Sequence, residues 1–173
     1  MTHKDQPSMI QKKVCILGAF GVGKSSLVSQ FVHRKFSEKY LSTMGVKIER
    51  KEFSVNGRSI NLMLWDIHGE EDYKQIPTTY LRGASGIIMV VDGTRRSSLE
   101  EGREILAGFQ DELEGLPVVI MVNKYDLLDE WSFSSTEIQT LSEGGPPVYL
   151  TSAKTGVHVE EAFHKLAEEL IRP

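Results

Sequence analysis

At 173 residues the chain is expected to form one domain with a full hydrophobic core, and its 40% hydrophobic and 25% charged residues are the balance of an ordinary globular protein. Lys and Arg number 20 against 24 Asp and Glu, a net charge of −4 that argues against a generally nucleic-acid-binding surface but leaves room for a local basic site. The single cysteine, Cys15, excludes an intrachain disulfide framework and fits a reducing, cytoplasmic setting; no apolar run reaches the roughly 18 residues of a membrane span, and no lipid-attachment pattern is present, so a soluble, unanchored chain is expected.

Residues 1–11 are polar and read as a flexible lead-in to a domain over 12–173. Val14-Cys15-Ile16-Leu17 is a short apolar run, the signature of a buried strand, with Cys15 a core residue. It ends on Gly18-Ala19-Phe20-Gly21-Val22-Gly23-Lys24-Ser25, which matches G-x-x-x-x-G-K-[ST] at every specified position. A loop that wraps a triphosphate turns its backbone N–H groups inward, and glycines allow the dihedrals and the close approach. Lys24 supplies positive charge to the β- and γ-phosphates, the Ser25 hydroxyl is a Mg²⁺ ligand, and the following helix points its positive end at the same anion. Phe20 is a bulky ring where such loops carry small residues.

Leu27, Val28, Phe31 and Val32 recur at helical spacing and predict a helix from about Lys24 to His33. A polar, irregular loop over 34–45 follows. Val46–Val55 and Ser59–Asp66 flank Asn56-Gly57, the strongest short hairpin signal, and predict two antiparallel strands. Residues 69–82 are charged and then weakly helical, with Pro77 at or near a helix start. Ile87–Asp92 is an apolar strand of the parallel-sheet type. Ser97–Glu114 reads as a helix with Leu99, Ile105, Leu106, Phe109 and Leu113 on its core face. Pro117–Val122 and Val148–Leu150 read as strands, Ser134–Leu141 as a short helix, and Val157–Ile171 as a closing amphipathic helix. Alternating strands and helices with apolar central strands imply an α/β fold: an open, mostly parallel sheet covered on both faces, with one antiparallel edge.

In such sheets ligands bind beyond the carboxyl ends of the strands. Gly18, Asp66, Asn123 and Ser152 all fall there. Asp66-Ile67-His68-Gly69 places a carboxylate within reach of Mg²⁺ through water and a Gly69 N–H toward a γ-phosphate. Asn123-Lys124-Tyr125-Asp126 is a base reader. Guanine presents N1–H and an N2 amine on one edge, an Asp126 carboxylate accepts from both, and adenine lacks that donor pair. Asn123 can bond the purine and brace the phosphate loop, while the Lys124 stem covers the base. In Thr151-Ser152-Ala153-Lys154, the Ala153 N–H is a donor for guanine O6 and Lys154 a second packing surface.

In order and spacing these four segments resemble the small GTPases of the Ras superfamily, its Ras and Rab branches most, from about residue 12 to 171. The resemblance implies the P-loop NTPase G domain with six strands, GTP and GDP as bound nucleotides, Mg²⁺ as cofactor, and hydrolysis of GTP to GDP. It implies that Tyr40-Leu41-Ser42-Thr43-Met44-Gly45 is a first switch in which Thr43 binds Mg²⁺ and the γ-phosphate, with Phe36 against the guanine. It adds Val22, Ser26 and Tyr40 to the nucleotide site, makes Ser25, Thr43 and Asp66 the metal set, and gives Lys24, Thr43, Gly69 and Glu70 the catalytic positions. Effector, exchange and activating proteins would meet switch I (36–50) and switch II (67–82) of a monomer.

Three positions depart from the family. Glu70 stands where the family has the glutamine that orients the attacking water; an ionised glutamate only accepts hydrogen bonds and adds negative charge beside an anion. Phe20 crowds the water and obstructs a partner's arginine. Slow intrinsic hydrolysis is therefore expected, with a non-hydrolysing guanine-nucleotide module as the alternative and a P-loop kinase or ATPase disfavoured by the guanine reader. His68, in place of a small residue, could position water or titrate near neutral pH.

Overall fold

The computed structural model describes residues 8–39, 43–69 and 72–173. Its elements in chain order are β1 (Ile10–Leu17), α1 (Lys24–His33), β2 (Val46–Val55), β3 (Arg58–Ile67), β4 (Gly86–Asp92), α2 (Ser97–Gly108), α3 (Gln110–Leu113), β5 (Val118–Asn123), α4 (Ser135–Ser142), β6 (Val148–Leu150) and α5 (Val159–Leu170). The strands form one sheet in the order β2-β3-β1-β4-β5-β6. Only β2 runs antiparallel to its neighbour, through the Asn56-Gly57 turn, whose residues both take positive φ (49° and 74°).

Successive side chains of a strand point to opposite faces, and here both faces are covered. Ile88 and Val90 of β4 join a layer with Phe31 of α1 and Phe163 of α5, whose rings stack 4.0 Å apart. Ile87, Met89 and Val91 join a second layer with Ile105 and Phe109. That double burial is why β4 reads as an unbroken apolar run. Edge strand β2, half exposed, reads instead as an alternating one.

Most boundaries fall within one residue of the sequence reading, and four features differ by more. β1 starts at Ile10 because its polar first half continues the parallel ladder on β3, from Ile10 opposite Ile60 to Lys13 opposite Met63; residues 10 and 11 are thus strand rather than lead-in. The helix expected over Ser97–Glu114 is two: Phe109 leaves helical dihedrals (φ −112°, ψ 26°) and packs edge-on against Tyr73 at 6.0 Å. The weak helix expected within 69–82 is a pair of 3-10 turns, Tyr73–Gln75 and Thr78–Tyr80, with Pro77 capping the second. α5 begins at Val159 because His158 sits in the left-handed region (φ 56°). Ser134 caps α4, and Glu137 closes the reciprocal capping box.

Candidate functional site

The carboxyl ends of β1, β3, β4, β5 and β6 share one rim, and a cleft of about 280 Å³ opens there. Phe20, Gly21, Gly23, Lys24, Ser25, Ser26, Phe36, Thr43, Gly69, Asn123, Lys124, Asp126, Ala153 and Lys154 line it. Gly18, Val22, Asp66 and Ser152 lie in the wall behind. Tyr40 and Glu70 fall outside the described residues.

The end expected to take phosphate is built by the loop between β1 and α1. Lys24 is only 7% exposed, and its Nζ donates to the carbonyls of Gly18 and Ala19, both at 2.9 Å. Burial pushes its ammonium down from 10.5 to about 8; Asp66 opposes that shift and Arg95 adds to it. Gly69 packs over this end so closely that a Cβ there would lie 2.6 Å from Lys24 Nζ and 2.8 Å from the Phe20 nitrogen. Phe20 is 44% exposed, and its ring meets His68 edge-on at 6.1 Å. The Phe20 carbonyl accepts from Arg95 Nη2 at 2.8 Å.

Beside Lys24 three oxygens converge from three elements. Ser25 Oγ at the start of α1 donates to Asp66 Oδ2 in β3 at 2.5 Å and lies 2.5 Å from Thr43 Oγ1. Asp66 is 1% exposed; burial raises its pKa against the pull of the Ser25 hydroxyl and the Lys24 charge. Its Oδ1 is buried with no hydrogen-bond partner among the described residues. Two hydroxyls and a carboxylate with an unpaired buried oxygen form a hard-oxygen set that fits Mg²⁺. Among the described residues no group of three His, Cys, Asp or Glu side chains could hold a metal alone. A cation here would complete its shell with water or phosphate oxygens.

The far end is held by Asn123, the last residue of β5. Its Nδ2 donates to the Val22 carbonyl at 3.1 Å, and its Oδ1 accepts from Ala153 N–H at 3.2 Å and Thr151 Oγ1 at 3.4 Å. The brace on the phosphate loop is thus present. The Ala153 N–H, expected to face guanine O6, donates here to the buried Asn123 amide oxygen. Close approach also makes Gly23 obligatory: a Cβ there would lie 2.4 Å from Asn123 Nδ2. Asp126 Oδ1 accepts from Ser152 Oγ at 2.7 Å, which orients the carboxylate. Lys154 reaches across to Glu38 at 3.2 Å.

Sequence reasoning passed over Asp92 and Arg95. Lys124, in the left-handed region (φ 71°), pairs with Asp92 Oδ2 at 2.8 Å. Asp92 closes β4 beside Asn123 and Arg95 follows it, so the strand-end rule that found the other residues pointed to these as well.

A family model described as "Ras family" matches residues 13–172. The chain is 36% identical over 160 residues to the Ras-related protein RGP2 of Oryza sativa subsp. japonica, covering 91% of this chain and 74% of that protein. It is 32% identical to the Ras-related protein Rab-1D of Dictyostelium discoideum, covering 91% and 78%. With the Ras-related protein Rab-13 of Canis lupus familiaris it shares 33% identity over 161 residues, covering 92% and 79%.

Proposed function

The chain belongs to the Ras family of small GTPases, and we propose that it is a switch that binds GTP and GDP with Mg²⁺, hydrolyses GTP slowly, and reports its nucleotide state to partner proteins. The observation that carries this reading is the pairing of two ends in one cleft. The ammonium of Lys24 and the oxygens of Ser25, Thr43 and Asp66 lie at one end, and Asn123 braces the loops of the other.

In this reading the guanine edge donates to Asp126, Lys124 and Phe36 cover its faces, and Ser152 holds the Asp126 carboxylate in position. The N–H groups of 21–26 surround the phosphates. Lys24 exchanges the carbonyls of Gly18 and Ala19 for phosphate oxygens, which stabilises its charged form. Mg²⁺ bound by Ser25, Thr43 and, through water, Asp66 would draw charge from the β- and γ-oxygens. Thr43 and Gly69 sense the γ-phosphate, so its loss releases switch I (36–50) and switch II (67–82), the surfaces offered to effector, exchange and activating proteins. The reading takes the chain as a monomer in the cytoplasm; no helix among the described residues is long and apolar enough to cross a membrane.

Hydrolysis is slow for two reasons. Glu70 has no donor with which to orient water and is itself anionic, and Phe20 occupies the phosphate end of the cleft. Phe20 also favours the second reading, a nucleotide-binding module without turnover.

The test begins with the base of the co-purified nucleotide: guanine supports the switch, and adenine overturns it. Single-turnover phosphate release from bound GTP then separates slow hydrolysis from none, and fast cleavage by the isolated chain contradicts the assignment of Phe20 and Glu70. Glu70→Gln is expected to accelerate release if that position limits the rate. If Phe20 is the dominant block, the Gln variant stays slow.

A further inference from the structure

Arg95 lies on the rim just after β4, where its guanidinium joins a carbonyl to a carboxylate, with Ser97 Oγ a longer third acceptor at 3.4 Å. Its Nη2 donates to the Phe20 carbonyl at 2.8 Å, and its Nη1 donates to Glu101 Oε1 at 2.9 Å. The carbonyl it holds belongs to the residue whose nitrogen borders Gly69 and, through it, Lys24 Nζ. Arg95 is thus tied to the outside of the same peptide segment that walls the phosphate end from within. Its guanidinium charge therefore stands just behind Phe20, whose side chain lines that end of the cleft.

We propose that Arg95 is a positioning residue for the γ-phosphate: it clamps the phosphate loop at Phe20 and adds positive charge at the end of the cleft where a triphosphate differs from a diphosphate, so that the chain prefers GTP over GDP. The inference rests on reading the cleft as a guanine-nucleotide site. Glu101 is the counter-ion that tempers this charge. Both side chains of the pair are partly exposed (38% and 43%), so salt will weaken the effect.

The experiment measures the dissociation constants of GDP and of a non-hydrolysable GTP analogue, at low and high salt, for the wild type and for Arg95→Ala, Arg95→Lys and Glu101→Gln. Arg95→Ala is expected to lower the preference for the triphosphate roughly fivefold at low salt and less at high salt, and Arg95→Lys to keep most of it. Glu101→Gln keeps an acceptor for Nη1 but removes the neutralising charge, so it is expected to raise the preference. The opposite signs matter, because a merely structural clamp would be left unchanged by Glu101→Gln, which keeps the acceptor, and its loss in Arg95→Ala would move both nucleotides alike. Equal loss of GDP and analogue affinity, or an unmoved ratio, overturns the role of Arg95. Should Arg95→Ala fail to fold, Glu101→Gln decides: no rise in the ratio overturns the proposal. Failure of the wild type to bind either guanine nucleotide would instead overturn the reading of the cleft itself.

Discussion

Asp92 is 4% exposed and accepts from Lys124 Nζ at 2.8 Å, Thr94 N–H at 2.9 Å and Thr94 Oγ1 at 2.7 Å. Burial alone would raise its pKa, yet the donors of Lys124 and Thr94 outweigh it and hold the carboxyl below its ordinary 3.8. A carboxylate depressed in the folded state stabilises above its unfolded value, and that contribution disappears as pH falls through the folded one. Asp92→Asn is therefore expected to cost about 2 kcal/mol at pH 7, since it strands the Lys124 ammonium, and less at pH 3. Urea midpoints at the two pH values measure it; an equal loss at both would remove the charge from the explanation. Cys15 gives a second check at this scale. Burial pushes its thiol up to about 11 against the opposing charge of Lys13, so alkylating reagents are expected to label it only on unfolding, and labelling of the native protein would contradict its place in the core.

Among the elements, the phosphate loop is tied to its surroundings by contacts with little slack. At Gly23, φ is +100° and a Cβ would collide with Asn123 Nδ2, so Gly23→Ala must strain the backbone and displace the bond from Asn123 to Val22 together. The expected result is a stability loss of about 1–3 kcal/mol by denaturant melt and a fall in guanine-nucleotide affinity of roughly a hundredfold by titration. Retained affinity would show that the brace is dispensable. The same tightness explains what was legible in the sequence. The loop, the strand ends at Asp66 and Asn123 and the hairpin at Asn56-Gly57 are each written in a few adjacent residues. The polar start of β1 was not legible, because it is strand only by pairing with β3. Nor was the break at Phe109, which turns inward against Tyr73. Arg95 meets Phe20 from 75 positions away, and Asp92 meets Lys124 only because β4 and β5 pair.

At the scale of the whole molecule, the rim is where side chains from separate elements exchange polar contacts around one cleft. Ser25, Thr43 and Asp66 come from α1, the loop before β2, and β3, joined by short hydrogen bonds, and among the described residues Asp66 Oδ1 has no donor. A buried carboxylate oxygen without a donor destabilises the protein alone, and a cation that takes it up returns that free energy as binding. A ligand that spans this cleft stabilises the folded state as a unit, by about 2.7 kcal/mol at a concentration 100 times its dissociation constant. For a chain of this size that is an upward shift in melting temperature of about 5–10 °C. GDP with Mg²⁺ is expected to produce such a shift in the wild type, and a chelator added to the complex to remove part of it. Ser25→Ala takes away one proposed metal ligand and the donor to Asp66, so its melting temperature with GDP is expected to be insensitive to Mg²⁺ and chelator alike. Calorimetric melts of both proteins, each with and without Mg²⁺, decide the matter. A Ser25→Ala protein that still responds to Mg²⁺ as the wild type does would place the cation elsewhere and detach the switch from these three oxygens.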